Sequence, residues 1–90
     1  MKLVKILTVK NELGLHIRPA AAIVKLVQKT KSKVYFTHKK ETINAKSIMS
    51  ILMLAAKKKA SITITIDGKD AKIIMDKLIK YFDKGFGEKK

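Results

Sequence analysis

Apolar and polar positions alternate strictly from Ser61 to Ile66. Ile62, Ile64 and Ile66 fall on one side and Thr63 and Thr65 on the other, which predicts a strand ended by Asp67-Gly68. Leu3 to Val9, aliphatic and β-branched, predicts another strand, but apolar residues occur at both parities and leave its buried face open. Asn11 to Gly14 break the run. From Ile17 to Lys29 the period becomes helical, with Ala20, Ile23, Val24 and Val27 on one face and Lys25, Gln28 and Lys29 turned outward. Pro19 fits such a helix only near its start, where the missing N–H is not needed. Lys33–Thr37 and Thr42–Asn44 predict two short strands joined by His38-Lys39-Lys40-Glu41. Ser47 is placed to cap a short apolar helix over Ile48–Leu54, and Lys57-Lys58-Lys59 form a basic loop. A last helix is predicted from about Asp70 to Asp83, with Asp70 as N-cap and Ala71, Ile74, Met75, Leu78 and Phe82 as its buried stripe. Lys80 and Lys84 stand near its C-terminal end, where the helix dipole favours cations. Residues 85–90 are expected to fray.

The order is β-α-β-β-α-β-α, without linker or repeat, and predicts a single domain over residues 1–90. The expected class is α+β: an open-faced β-sandwich whose four-stranded, mostly antiparallel sheet carries three helices on one face.

Composition narrows the function classes. The 90 residues contain no cysteine, which removes disulfides and thiolate chemistry. No apolar run approaches the roughly 20 residues of a membrane span, and no signal-peptide core follows Met1, so a cytoplasmic protein without membrane insertion is expected. The net charge of +14 admits two readings. One is attraction to an anionic partner, and the other is a lysine-coated surface that maintains solubility. The lysines are scattered and aromatics few, so nucleic acid is not the expected partner.

The four glycines form neither a P-loop nor a dinucleotide fingerprint, and the two histidines lack companions for a metal site. No cofactor is expected. One cluster stands apart: Gly14-Leu15-His16-Ile17-Arg18-Pro19-Ala20, at the predicted strand-to-helix turn. A helix N-terminus offers unpaired N–H groups that cradle phosphate. Neutral imidazole has a lone pair that can attack phosphorus, and the planar fork of Arg18 can hold phosphoryl oxygens. Among 21 basic residues Arg18 is the only arginine. A surface histidine in a helix-start turn is the plainer alternative on this short pattern alone.

The chain resembles the HPr family, the histidine-containing phosphocarriers of the bacterial phosphoenolpyruvate-dependent sugar phosphotransferase system. Gly14 to Ala20 is similar to that family's active-site signature, Asn44-Ala45-Lys46-Ser47-Ile48-Met49 to its second signature, and Ile62-Thr63-Ile64 with Gly68 and Asp70 to its third conserved region. The resemblance implies that His16 takes a phosphoryl group on Nδ1 from the system's first enzyme, steadied by Arg18, and passes it to a sugar-specific or regulatory acceptor protein. It implies a carrier rather than an enzyme, acting as a monomer. It makes Ser47 a regulatory phosphorylation site for a serine kinase, against the simpler reading of Ser47 as a helix cap. It also implies a docking surface at Ile48, Met49, Leu52 and Lys25, where ordinary core packing is the alternative for the apolar members.

Departures from the family pattern are Ile17 beside the histidine, Ser50 in place of a frequent glycine, and Ala55 and Lys59 where many members carry glycine. Ile17 is expected to narrow access to His16. The high charge keeps a second class of function open, an HPr-like basic module that docks on protein or nucleic acid.

Overall fold

The computed structural model describes residues 1–88, and the elements follow the predicted order. Strand β1 spans Lys2–Thr8, helix α1 Ile17–Val27, β2 Lys33–His38, β3 Glu41–Asn44, α2 Ile48–Met53, β4 Ser61–Asp67 and α3 Ala71–Asp83. A single 3-10 turn over Gly85–Gly87 follows α3. The strands form one open sheet in the order β1-β4-β2-β3, and every neighbouring pair is antiparallel.

β4, the strand with the cleanest alternation, lies inside the sheet, and Ile62, Ile64 and Ile66 are wholly buried against the helices. Its pairing settles the face of β1. Leu3 and Leu7 stand opposite Ile66 and Ile62 and so turn toward the core, whereas Val4 and Ile6 stand opposite Thr65 and Thr63 on the open face. Val4 and Ile6 are accordingly 55% and 68% exposed.

Helix α1 buries Pro19, Ala20, Ile23 and Val27, and α3 buries the whole predicted stripe from Ala71 to Phe82. Phe82 meets Phe36 of β2 edge-on, with ring centroids 6.1 Å apart. Each such fully buried large side chain contributes about 1.5–3 kcal/mol by removing apolar surface from water.

Two expectations need correction. The end of the chain does not fray through position 88: Phe86 is buried, its ring 4.8 Å from that of Phe82 and 5.0 Å from that of Tyr81. Gly85, Phe86 and Gly87 all take left-handed backbone, with φ of 60°, 59° and 74°. Gly85 and Gly87 let the chain turn back and seat an aromatic ring. Positions 89 and 90 lie outside the described residues.

Asp70 does occupy the N-cap position of α3, but its side chain does not cap the helix. It accepts hydrogen bonds from the Thr30 and Ser32 hydroxyls instead. Those bonds, Ser32 first, hold its carboxyl below the usual carboxylate range.

Candidate functional site

The loop between β1 and α1 is set by three local devices. Asn11 is fully buried, and its side-chain amide donates to the Gly14 carbonyl at 2.8 Å. Gly14 has φ of 71°, and a Cβ there would collide with the Ala56 carbonyl, so the tight approach of the two loops requires glycine. That same carbonyl accepts from the Leu15 amide at 2.9 Å while Leu15 itself enters the core. The next residue is thereby presented at the helix start.

His16 is the N-cap of α1, with extended backbone (φ −82°, ψ −171°), and its carbonyl accepts from the Ala20 amide at 3.0 Å. No described side chain caps the helix. The amides of Ile17 and Arg18 in the first turn point into this end of the helix, while Pro19 has none to offer. The arrangement is an anion cradle at the positive end of a helix dipole.

Beside it lies a carboxylate far away in sequence. Glu88 places Oε2 2.8 Å and Oε1 3.0 Å from His16 Nε2. Asn11 Nδ2 donates to Oε1 at 2.7 Å, and Arg18 Nη1 stands 3.9 Å from Oε2. The Glu88 side chain is 11% exposed, against 33% for His16 and 80% for Arg18. The His16 hydrogen bond, and after it that of Asn11, hold the Glu88 carboxyl below the usual range. Glu88 thus engages Nε2 rather than Nδ1 of the ring.

Sequence reasoning brought His16 and Arg18 together and missed Asn11 and Glu88. A single aromatic, Phe86, among glycines at the chain end was the available signal that this segment is anchored.

Ser47 caps α2, its hydroxyl oxygen accepting from the Ser50 amide at 3.2 Å. Met49 is 69% and Ile48 38% exposed, whereas Leu52 packs partly against the core. Lys25 is exposed on α1, the helix against which α2 packs. Leu13 and Met53 are further exposed apolar residues, and Ile17, noted above beside His16, is exposed as well. An open hollow of about 390 Å³ lined by His38, Lys39, Lys57, Lys58 and Lys59 adjoins the loop that holds Leu15.

The family described as "PTS HPr component phosphorylation site" matches residues 3–84. The chain is 50% identical over 80 residues to the phosphocarrier protein HPr of Chlamydia pneumoniae, covering 89% of this chain and 74% of that one. It superposes on the crystal structure of HPr-C-His from Thermoanaerobacter tengcongensis with a TM-score of 0.92 at 30% identity, covering 98% of this chain and 99% of the other. It is also 37% identical over 84 residues to the multiphosphoryl transfer protein of Haemophilus influenzae, covering 90% of this chain and 17% of that larger one. The chain belongs to the HPr family.

Three of the four departures from the HPr pattern now have a physical meaning. Ala55 and Lys59 take left-handed backbone, with φ of 51° and 77°, where glycine would carry no steric penalty. Ile17 is 67% exposed and adds apolar surface next to His16.

Proposed function

We propose that this HPr phosphocarrier of the phosphotransferase system takes its phosphoryl group on Nδ1 of His16. The observation that carries the assignment is the occupied Nε2: Glu88 holds that nitrogen at 2.8 Å, and the Nδ1 lone pair remains for phosphorus. Arg18, exposed and two residues on, meets the phosphoryl oxygens with its planar fork, and the first-turn amides of α1 add further donors.

The donor on this reading is the system's first enzyme, and the acceptors are sugar-specific or regulatory proteins. The occurrence of a similar stretch within the larger multiphosphoryl transfer protein supports a unit that works beside other phosphoryl-handling parts. Ile48 and Met49, with Lys25 nearby in the helix pair, form the docking surface; Leu52 serves mainly in packing. Phosphate on Ser47 would place negative charge at the start of α2, next to exposed Ile48 and Met49, and so alter docking rather than the fold. No helix among the described residues is long and apolar enough to cross a membrane, in keeping with a carrier that moves between protein partners.

The test is incubation with phosphoenolpyruvate and the cognate first enzyme, followed by intact mass before and after acid treatment. Wild type should gain one acid-labile phosphate, and His16→Ala should gain none while keeping its circular dichroism spectrum. Acid-labile phosphate on the His16→Ala variant would move the site elsewhere, with His38 the next residue to replace.

A further inference from the structure

We propose that Glu88 is a positioning residue for phosphoryl transfer: its carboxylate fixes the His16 tautomer that leaves Nδ1 unprotonated and faces the charge the ring acquires during the reaction. The inference rests on His16 being the phosphoryl acceptor.

An ionised carboxylate only accepts hydrogen bonds, so a ring nitrogen 2.8 and 3.0 Å from its two oxygens must be the donor. Nε2 therefore carries the proton, and in the neutral ring the lone pair is on Nδ1. Without such a partner both tautomers of an imidazole are populated, and the one protonated on Nδ1 cannot attack there.

The carboxylate is itself held. Asn11 Nδ2 donates to it at 2.7 Å and to the Gly14 carbonyl at 2.8 Å, which ties Glu88 to the loop that presents His16. From the other side, the left-handed turn Gly85–Gly87 and the buried Phe86 anchor the segment that brings Glu88 in. A carboxylate fixed at both its donor and its backbone restricts ring rotation as well as protonation.

In the transfer step the Nδ1 lone pair forms a bond to phosphorus, and the bond from phosphorus to the donor atom breaks with its electron pair leaving on the donor. Nε2 keeps its proton throughout. The ring then bears phosphorus on one nitrogen and hydrogen on the other, a positively charged imidazolium directly facing Glu88. On onward transfer the Nδ1–phosphorus bond breaks, its electron pair returns to the ring, and the positive charge disappears. Glu88 thus orients the ring and offsets its transient charge, as the buried carboxylate of a Ser-His-Asp triad does.

The experiment pairs Glu88→Ala with Glu88→Gln, whose amide oxygen still accepts from Nε2–H but carries no charge. Long-range ¹H–¹⁵N correlations on unphosphorylated protein, with His16 neutral, should show the Nε2–H tautomer in wild type and Glu88→Gln and a mixture in Glu88→Ala. Rapid-quench transfer from the phosphorylated first enzyme should slow roughly tenfold or more in Glu88→Ala, with Glu88→Gln recovering part of the loss. An unchanged tautomer or an unchanged rate in Glu88→Ala would overturn the proposal, since a purely structural carboxylate has no hold on the tautomer. Wild type that gains phosphate at another residue would sink the acceptor assignment and Glu88's part with it. Normal phosphorylation of His16 beside an unaffected Glu88→Ala would sink Glu88's part alone.

Discussion

Two carboxylates tie the molecule together at the two ends of α1, and they differ in what they hold. Beyond the C-terminal end of α1, Asp70 accepts from the hydroxyls of Thr30 and Ser32, groups that do not titrate near neutrality. At the N-terminal end, Glu88 faces His16 and Arg18 and is steadied by Asn11. Both carboxyls are held below their ordinary range by hydrogen bonds. Only the second bonds to an imidazole, whose neutral ring offers a nucleophilic lone pair without first losing a proton, as a hydroxyl must. The same device, a carboxylate bridging distant segments, is a clamp in one place and part of a reactive site in the other.

Replacing Arg18 with lysine should separate the two ends most sharply. Lysine keeps the charge but loses the fork, and every other basic position in the chain except the histidines already uses it. The Arg18 side chain is 80% exposed and makes only a 3.9 Å approach to Glu88, so the fold should not notice the change. Transfer should slow by roughly tenfold, equivalent to ~1.4 kcal/mol of lost transition-state stabilisation. Rapid-quench rates for Arg18→Lys and wild type, with thermal unfolding alongside, make the measurement. Equal rates would mean that simple positive charge suffices at this site.

The converse variant is Asp70→Ala, which leaves the buried Ser32 hydroxyl without its acceptor. Its Tm should fall further than that of Glu88→Ala, while its transfer rate below the transition stays at the wild-type value. The loss should also depend on pH. A carboxyl lowered in the folded state stabilises it above the unfolded pKa of about 3.9, and that stability disappears as pH falls through the folded value. Wild type and Asp70→Ala should therefore converge in Tm as the solution is acidified below roughly pH 4. Parallel curves down to strong acid would show that the clamp does not act through its ionised form.

The difference between the ends also explains which parts of the molecule were legible in the sequence. The alternation of Ile62, Ile64 and Ile66 and the stripe from Ala71 to Phe82 are local patterns, and the structure buries them as expected. His16 and Arg18 lie two residues apart at a helix start, so one short motif exposes both. Glu88 lies 72 residues from His16, and although Phe86 beside it hints that the segment is anchored, nothing local says which side chain the carboxylate meets. Asp70 looked like a cap because capping is a local rule, but Thr30 and Ser32 compete for it across 40 and 38 residues. Contacts of that reach depend on how the sheet closes, as does the face of β1, which only its register with β4 decides.

Backbone strain is divided between the ends in the same way. Among the described residues the non-glycine positions with left-handed backbone are Lys39, Ala55, Lys59 and Phe86. None lies in the segments that meet at Asp70, whereas Ala55 precedes the carbonyl that holds Leu15, and Phe86 leads to Glu88. Ala55 follows the C-cap Leu54 of α2, and its amide bonds to the Leu52 carbonyl at 3.0 Å. That is the helix-ending position where glycine is favoured, because a Cβ in left-handed backbone costs about 1–2 kcal/mol. Ala55 is exposed, so its methyl group offers little packing in return. Ala55→Gly should remove the steric cost and give back roughly 0.4–1 kcal/mol through the freer unfolded chain. The net gain expected is about 0.5 kcal/mol, or ~2–4 °C in Tm for a domain of this size. Transfer should be unchanged, since the Ala56 carbonyl is held by its own bond to Leu15. A scan showing equal or lower Tm would mean that the chain has relieved the strain at Ala55 by other means. A faster or slower transfer would mean that this strained loop, unlike anything around Asp70, bears on how His16 is presented.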